Sequence, residues 1–331
     1  MKNQKILIIR FSSIGDIVLT TPIIKSLRKK YPTSTIHFLT KKKFSSILSN
    51  NKKIDKVIEF NSQKQNIFKF FKFIKKEKYS IFIDLSNNLR SRILTFFTGF
   101  SNVKVFRFSK SSIKRRLQVK FHRFLPKKIV PVYLRYFQAI KELKLKIYSK
   151  YEINFTQENE DKILHFIKKD KKNIVVATSA TYFTKKWRKE NYVNLCKELV
   201  KTNNINLIGG TREKSENRFI EKSVAGINNL TGKLTLLETA ALLKNSSVLV
   251  CHDSGIMHIA QSQNCPVVTL FGSTTNHLGF FPINSNCTAI EVDLPCRPCS
   301  VHGRKNCPKV HFQCMRGITV EMVRKAIEKH L

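Results

Sequence analysis

Short apolar runs alternate with segments of helical spacing along the chain. The first run, residues 5–11 (KILIIRF), has no turn signal inside it and is typical of a buried parallel strand. Residues 16–30 then repeat apolar positions at intervals of three and four, which predicts a helix. Further strands are predicted at 34–39, 56–60, 80–85 and 102–106. This alternation favours a parallel sheet that is covered by helices on both faces.

A second set of strands and helices follows the polar segment 157–172. Its strands are predicted at 173–178, 205–210, 247–252 and 266–271. The sequence therefore predicts an α/β protein of two Rossmann-like domains, at 1–165 and 172–331, facing each other across a cleft. Open sheets of this type bind ligands at the carboxyl ends of their strands, so we expect the functional site in that cleft.

The charge of the chain is strongly positive. Its 331 residues, 42% of them apolar, exclude a disordered chain and a small disulfide-stapled module. Lys and Arg number 61 against 22 Asp and Glu, a net charge of +39. Residues 1–150 hold 36 basic and 6 acidic residues, and the remainder holds 25 and 16. The excess predicts an anionic partner for the first domain, although a general drift of composition towards lysine explains part of it.

The cysteines suggest a metal site or a plain reduced loop. We expect no membrane span, and the apolar run before Arg10 is too short for a secretory signal, so we expect a cytoplasmic protein with reduced thiols. Four cysteines have the spacing C-x2-C-x7-C-x6-C, with His302 and His311 between them, which is enough for a tetrahedral structural zinc site. These are Cys296, Cys299, Cys307 and Cys314.

Asp16 is the first candidate catalytic residue. It lies where the turn 11–16 leaves a predicted strand and enters a helix. A carboxylate in this place is either a helix cap or a general base, and the spacing alone does not separate the two.

Residues 251–258 (CHDSGIMH) offer a second candidate, because they also join a strand to a helix. Ser254 and Gly255 would present backbone N–H groups to a pyrophosphate, with His258 one turn further on. Alternatively, Asp253 is a helix cap and His258 a partly buried histidine with ordinary partners.

Two loops after strands of the second domain carry further polar groups. Lys185, in the loop 179–188, could neutralise a departing phosphate, while Trp187 in the same loop is expected to pack on the core. Glu213 follows a Gly-Gly pair and could bond a ribose, or the segment could be a plain strand-to-helix turn.

Five segments together carry a resemblance to a known family. They are RFSSIGDIVLTTPIIKSLRKKYP at 10–32, T-x-x-x-K-x-W at 181–187, LIGGTREK at 207–214, NLTGKLTLLETAALL at 229–243 and HDSGIMHIAQSQNCPVVTLFGST at 252–274. In this order, and over nearly the whole chain, they resemble the ADP-heptose:lipopolysaccharide heptosyltransferases of glycosyltransferase family nine.

The resemblance implies a GT-B fold and an inverting transfer that needs no cofactor or metal for its chemistry. By position, Asp16 would be the general base and Lys185 would stabilise the phosphate of departing ADP, with Thr181 beside it. The diphosphate and sugar would be held by Asp253, Ser254, Gly255 and His258. The nucleoside site would be lined by Glu213 and Leu234.

The resemblance also implies an acceptor, the phosphorylated lipid A core, and a peripheral position on the cytoplasmic face of the inner membrane. Acceptor contacts are expected from Ser13, Arg90, Arg92, Arg115 and Arg116. Residues 65–76 (QNIFKFFKFIKK) form a basic amphipathic segment that could lie on an anionic surface, or form an ordinary domain helix with a solvated lysine face.

Two other functions compete with heptose transfer. A member of this family could transfer another sugar, such as an N-acetylhexosamine, to the core or to a surface glycan. A nucleic-acid-binding protein would explain the charge of +39, but no reading motif is present, so no specific nucleic-acid partner is expected.

Overall fold

The computed structural model describes residues 4–61, 67–98, 103–110, 112–122, 124, 130–281 and 286–331. The chain forms two compact units. Unit 1 comprises Met1–Lys110 and Val130–Asn154, and unit 2 comprises Ser111–Ile129 and Phe155–Leu331. Residues 111–129 thus belong to the second unit, while the boundaries expected at 165 and 172 stay a prediction.

Unit 1 is built on a parallel sheet. Its strands are β1 (Lys5–Ile9), β2 (Thr35–Lys41), β3 (Lys56–Phe60), β4 (Ile81–Asp84) and β5 (Lys104–Arg107). Their order across the sheet is β3-β2-β1-β4-β5. Every residue of β1 after Lys5 is buried, because a central parallel strand is covered on both faces.

Seven α-helices are described in the first 154 residues: the first five connect the strands of this sheet, and the last two follow β5. They are α1 (Ile14–Val18), α2 (Thr21–Lys30), α3 (Ser46–Ser49), α4 (Ile67–Lys76), α5 (Leu89–Thr98), α6 (Ser112–Lys120) and α7 (Val132–Ala139). The helix expected over 16–30 is interrupted between α1 and α2. Pro22 lies in the first turn of α2, where its missing N–H costs nothing, so it starts a second helix.

Unit 2 contains a parallel sheet whose strands follow the same type of order as those of unit 1. Its strands are β6 (Asn173–Ala177), β7 (Asn204–Ile208), β8 (Asn228–Asn229), β9 (Val248–His252), β10 (Val267–Phe271) and β11 (Cys287–Glu291). They lie in the order β11-β10-β9-β6-β7-β8. Its helices beyond α6 are α8 (Gln157–Leu164), α9 (Lys189–Leu199), α10 (Lys214–Ser223), α11 (Leu236–Lys244), α12 (Gly255–Ser262), α13 (Gln313–Arg316) and α14 (Val320–Glu328).

The predicted fold class is confirmed, since each unit is a Rossmann-like α/β layer structure. Trp187, as expected, is buried in the core of unit 2, where its indole N–H donates to the Ile318 carbonyl at 2.9 Å. Within the described part of the chain, no helix combines the length and the apolarity that crossing a bilayer demands.

Candidate active site

Three of the candidate residues follow strands at which the strand order of a sheet reverses. In unit 1 the reversal is between β1 and β4, and in unit 2 it is between β6 and β9. Asp16 follows β1, the Lys185 loop follows β6, and Asp253 follows β9 directly. Ligands of open α/β sheets bind at the carboxyl ends of strands beside such reversals, so the topology places these residues where chemistry is expected.

Asp16 is held by its neighbours through one carboxylate oxygen. Its Oδ2 accepts the Ser13 N–H at 3.0 Å and the Ser13 hydroxyl at 2.9 Å, and it pairs with the Arg10 guanidinium at 2.7 Å. The contact with the Ser13 N–H is a capping contact at the start of α1. Oδ1 is approached by the Tyr136 hydroxyl at 3.5 Å, and 17% of the side chain is exposed. One oxygen therefore caps the helix, and the other faces fewer partners.

The charge of Asp16 is set by two opposing effects. Burial raises the pKa of the carboxyl, but Arg10 and the Ser13 hydrogen bonds outweigh it, so the pKa lies below its ordinary value. The carboxylate is therefore ionised at neutral pH and can accept a hydrogen bond from a hydroxyl group.

Two charged groups that interact with Arg10 were not among the predicted site residues. Asp84, at the end of β4, is fully buried, and its Oδ1 accepts the N–H groups of Ser86 and Asn87. Lys110 has a lowered pKa, chiefly because of burial and then because of Arg10, while Asp84 and Asp16 act in the opposite direction. Lys110 thus lies within the electrostatic reach of Asp16.

The residues expected to contact an acceptor fall in both units. Ser13 adjoins Asp16, and Arg90 is exposed in the first turn of α5. The Arg92 Nε donates to the Asn87 side-chain oxygen at 2.8 Å. In unit 2, Arg115 is buried on α6 with its guanidinium 5.7 Å from the centre of the Phe280 ring, and Arg116 is exposed. Their role in acceptor binding stays a prediction.

Lys185 and Asp253 form an ion pair in unit 2. The Lys185 ammonium lies 2.6 Å from Asp253 Oδ2 and also donates to the Asp253 carbonyl at 3.1 Å. The Thr274 hydroxyl donates to the same Oδ2 at 2.9 Å. Burial by itself raises the pKa of Asp253, but Lys185 and Thr274 outweigh it, and the net pKa is lowered. Asp253 therefore contacts both the Lys185 ammonium and the Thr274 hydroxyl, and its contact with a diphosphate or sugar stays a prediction.

A buried histidine ties the Lys185 loop to β9. His252 Nε2 accepts the Trp187 N–H at 2.9 Å and lies 3.0 Å from the Tyr192 hydroxyl. Its other nitrogen is 3.4 Å from the Ser179 carbonyl. Burial lowers the pKa of His252 to about 4, so the ring is neutral at pH 7. His252 was not predicted from the sequence, because its contacts come from segments far away in the chain.

The start of α12 offers donors next to the ion pair. Ser254 is the N-cap, and its hydroxyl oxygen is buried without a hydrogen-bond partner among the residues described. Gly255 opens the helix, and His258, which is buried, lies one turn on, with Nδ1 3.4 Å from the Gln261 side-chain oxygen. The first N–H groups of a helix and the positive end of its dipole favour an anion at this place.

The remaining donor-site candidates are less tightly gathered. Thr181 is exposed at the start of the Lys185 loop. Glu213 Oε2 accepts the Gly210 N–H at 2.9 Å and so closes the turn after β7. Leu234 is half-buried before α11. The structure gives Glu213 a capping contact, and its contact with a ribose stays a prediction.

Arg297 holds the loop after β10, in which Thr274 contacts the ion pair. Arg297 is buried, and its guanidinium donates to the carbonyls of Gly272, at 2.6 Å, and Thr274, at 2.8 Å. It also pairs with Glu291 at 2.9 Å. Arg297 was not predicted from the sequence, where it is one of two arginines in the cysteine-rich segment 296–314.

The cysteine-rich segment also contacts the Lys185 loop. Thr184 Oγ1 lies 2.8 Å from the Ser273 hydroxyl and accepts the Arg304 N–H at 2.8 Å. The Cys299 N–H donates to the Ser273 carbonyl at 3.1 Å. Gly272 is needed here, because a Cβ on it would lie 2.4 Å from the Thr184 carbonyl oxygen. The segment thus packs directly against the two loops that hold Lys185 and Thr274.

The predicted zinc ligands are not arranged around a common centre. All four thiols are unbridged, and Cys296 Sγ lies 3.7 Å from His311 Nε2. Across the described ranges, no group of three or more His, Cys, Asp or Glu residues could hold a metal ion. The residues as placed therefore do not fit zinc, which stays a prediction from spacing.

Comparison with known proteins gives one consistent result. The profile of glycosyltransferase family 9 (heptosyltransferase) matches residues 67–310. The chain is 26% identical over 307 residues to lipopolysaccharide heptosyltransferase 1 of Campylobacter coli, covering 86% of this chain and 88% of the relative. It is also similar to the glycosyl transferase family 9 structure from Veillonella parvula (TM-score 0.83, 19% identity, 99% and 97% covered). A third match is E. coli heptosyltransferase WaaC with ADP (TM-score 0.69, 17% identity, 99% and 100% covered).

Proposed function

Because this chain belongs to glycosyltransferase family 9, we propose that it transfers heptose from ADP-heptose to the inner core of lipopolysaccharide, onto a Kdo- or heptose-bearing lipid A. The observation that carries the proposal is the group formed by Lys185, Asp253 and the start of α12 at the strand reversal of unit 2. The names of the relatives support the sugar and the acceptor, and the WaaC structure supports ADP as the nucleotide.

In the proposed reaction, the acceptor hydroxyl attacks the anomeric carbon of the donor sugar from the face opposite the diphosphate. Asp16 takes the proton of that hydroxyl while the bond between the anomeric carbon and the diphosphate oxygen breaks, and the configuration inverts. ADP leaves with the electron pair of that bond. Asp16 Oδ1 is the oxygen suited to this step, because Oδ2 is occupied by Arg10 and Ser13.

In the proposed reaction, Lys185 and the first turn of α12 stabilise the leaving group. Lys185 balances the charge that develops on the phosphate, and Asp253 fixes the direction of its ammonium group. The Ser254 hydroxyl and the first N–H groups of α12 supply further donors, and both are provided by a rigid strand-to-helix connection. Neither group requires a metal ion to act in this way.

Transfer of another sugar is the second candidate function. Lys185 and the start of α12 recognise a nucleoside diphosphate and carry no information about the sugar. The donor nucleotide and the sugar must therefore be tested separately.

The acceptor contains a lipid, so we propose that the enzyme works at the cytoplasmic surface of the inner membrane. The net charge of +39 supports an anionic surface as its environment.

The test is single-turnover transfer from ADP-heptose to Kdo-lipid A and to its monoheptosylated form, using wild type, Asp16→Ala and Asp16→Asn. Loss of the base lowers the rate by ~10²–10⁴-fold while ADP-heptose binding is retained. Full activity of Asp16→Asn would show that Asp16 is not the general base. Turnover only of another nucleotide sugar would favour the second candidate, and absence of ADP binding would overturn transfer from ADP-heptose.

A further inference from the structure

Helix α4 presents apolar side chains to two different environments. Phe70, Phe71 and Ile74 are buried in the core of unit 1. Phe68 and Phe73 are exposed instead, at 65% and 40% of their surface. The predicted segment began at Gln65, and Gln65 and Asn66 lie outside the described residues, as do the side chains of Ile67 and Lys69. The core thus accounts for one set of apolar residues on this helix and leaves the second in contact with water.

The neighbouring elements extend this exposed apolar surface. Helix α5 packs beside α4 and exposes Leu89 and Phe96, the latter at 67%, and β5 at the sheet edge exposes Val105. Between α5 and β5 lies a groove of about 590 Å³. The groove is lined by Arg92, Ile93, Thr95, Phe96, Val105 and Arg107. Exposed apolar surface of this extent, placed on adjacent elements, usually marks an interaction site.

The charge around these side chains has one sign. The sequences of α4, α5 and β5 contain eight Lys and Arg residues and no Asp or Glu. The two carboxylates between these elements in the sequence each lie beside a basic side chain. Glu77 pairs with Lys5, and Asp84 is fully buried near Arg107. Aromatic side chains set among cations match the boundary between the headgroups and acyl chains of an anionic bilayer.

We propose that α4, α5 and β5 form the surface by which this protein docks on an anionic phospholipid bilayer, with Phe68, Phe73 and Phe96 entering the headgroup region. This inference deepens the proposed peripheral location and rests on it. The lysines of α4 attract the surface from a distance, and the aromatic rings provide the contact that persists when salt screens the charges. Charge complementarity favours a lipid surface over a second copy of this chain, because two such faces would repel each other.

The experiment compares matched variants of the full-length protein without substrates. Phe68→Ser/Phe73→Ser is compared with Phe219→Ser, since Phe219 on α10 of unit 2 is 41% exposed and has Lys189 4.1 Å from its ring centre. Phe73 has a lysine over its ring in the same way, with Lys56 at 5.6 Å. Binding is measured by sedimentation with vesicles of phosphatidylcholine alone and with phosphatidylglycerol added, at low and high salt. Transfer to detergent-solubilised acceptor is measured in parallel.

We expect wild type and Phe219→Ser to bind the anionic vesicles, and the double variant to bind at least tenfold more weakly, with the gap widening at high salt. Transfer to solubilised acceptor stays unchanged in all three proteins, which separates this inference from the proposed reaction. Equal binding by the two Phe variants would overturn the docking surface. A change in oligomeric state with unchanged vesicle binding would also overturn it, in favour of a contact between copies, and so would a preference for duplex DNA that depends on the same residues.

Discussion

Arg10 determines how Asp16 can act. Its guanidinium holds one carboxylate oxygen at 2.7 Å and keeps the pKa of Asp16 below the ordinary value in spite of burial. A carboxylate of low pKa is a weak base, but it is always ionised near neutral pH and has a fixed direction. It therefore suits a step in which the proton moves late, after the acceptor hydroxyl has begun to form its new bond.

We predict that Arg10→Gln shifts the acidic limb of the kcat/KM profile to higher pH. Without the guanidinium, burial raises the pKa of Asp16, so the carboxyl is protonated at pH values where it is ionised in the wild type. The measurement is kcat/KM against pH for both proteins. Arg28→Gln, which removes a pair with Asp55 in the same unit, is the control and should follow the wild-type profile. Superimposable acidic limbs for Arg10→Gln would contradict the assignment.

A second prediction at the scale of residues concerns how His252 makes the free energy of unfolding depend on pH. Its pKa is about 4 in the folded protein, against an ordinary value of 6.5, so the unfolded chain binds a proton more readily between these values. The free energy of unfolding therefore falls as pH is lowered from about 6.5 to about 4, by roughly 3 kcal/mol from this group. We expect His252→Gln to reduce this pH dependence. Urea unfolding at several pH values measures it.

Tyr192→Phe is the matched control for that experiment. It removes one hydroxyl partner of His252 at 3.0 Å but leaves the titrating ring in place. It should lower stability and keep the wild-type dependence on pH. A His252→Gln protein with the full wild-type dependence would show that other groups cause the loss.

The sequence located Asp16, Lys185 and Asp253 because each follows a strand whose apolar run is easy to read. It did not reveal Lys110, which follows β5 in the same way, since that strand is short and mostly exposed. Nor did it show that Asp253 pairs with Lys185, because the two residues are 68 positions apart and meet only when β6 and β9 align. The sequence did not decide whether Asp16 caps a helix or acts as a base. In the structure, Oδ2 makes the capping contact and Oδ1 lies 3.5 Å from the Tyr136 hydroxyl.

At the scale of elements, the predicted central strands agree with the structure to within one or two residues. The strands that were missed, β8 and β11, lie at the two edges of the second sheet. Strand β8 consists of Asn228 and Asn229, which carry no apolar signal, and β11 (CTAIE) is a short strand with polar residues among its apolar ones. Edge strands are covered on fewer sides, so their sequences are less constrained towards apolar residues.

The segment around Arg297 is a structural support for the loop 271–274. We predict that Arg297→Lys weakens ADP binding by about tenfold, equivalent to about 1.4 kcal/mol, because one ammonium cannot reach the several acceptors that the guanidinium serves. The loop would loosen, and Thr274 would no longer hold Asp253 and, through it, Lys185. Calorimetric titration with ADP measures the effect.

Arg324→Lys is the control for this prediction. Arg324 lies on α14 in the same unit and makes exposed pairs with Glu198 and Glu328, which contribute little to stability. Its ADP affinity should equal that of the wild type. If Arg297→Lys bound ADP normally while melting at a lower temperature, Arg297 would have a structural role alone.

At the scale of the whole molecule, the uneven charge leads to a salt dependence that differs between substrates. Unit 1 carries 29 basic and 7 acidic residues and unit 2 carries 32 and 15, so the ratio of basic to acidic residues is higher in unit 1. Raising NaCl from 50 to 500 mM screens the attraction of distant charges. We expect the KM for a phosphorylated lipid acceptor to rise several-fold more than the KM for the nucleotide sugar, which steady-state kinetics would show. Equal changes in both constants would mean that the excess charge does not serve the acceptor.

The membership of residues 111–129 in unit 2 has a practical consequence for recombination between relatives. The chain passes from one unit to the other three times, after Lys110, after Ile129 and after Asn154. A chimera made with a single crossover near residue 155 would pair α6 of one parent with the α/β layer of the other. An exchange of unit 2 between two relatives therefore needs residues 111–129 to be exchanged together with residues 155–331.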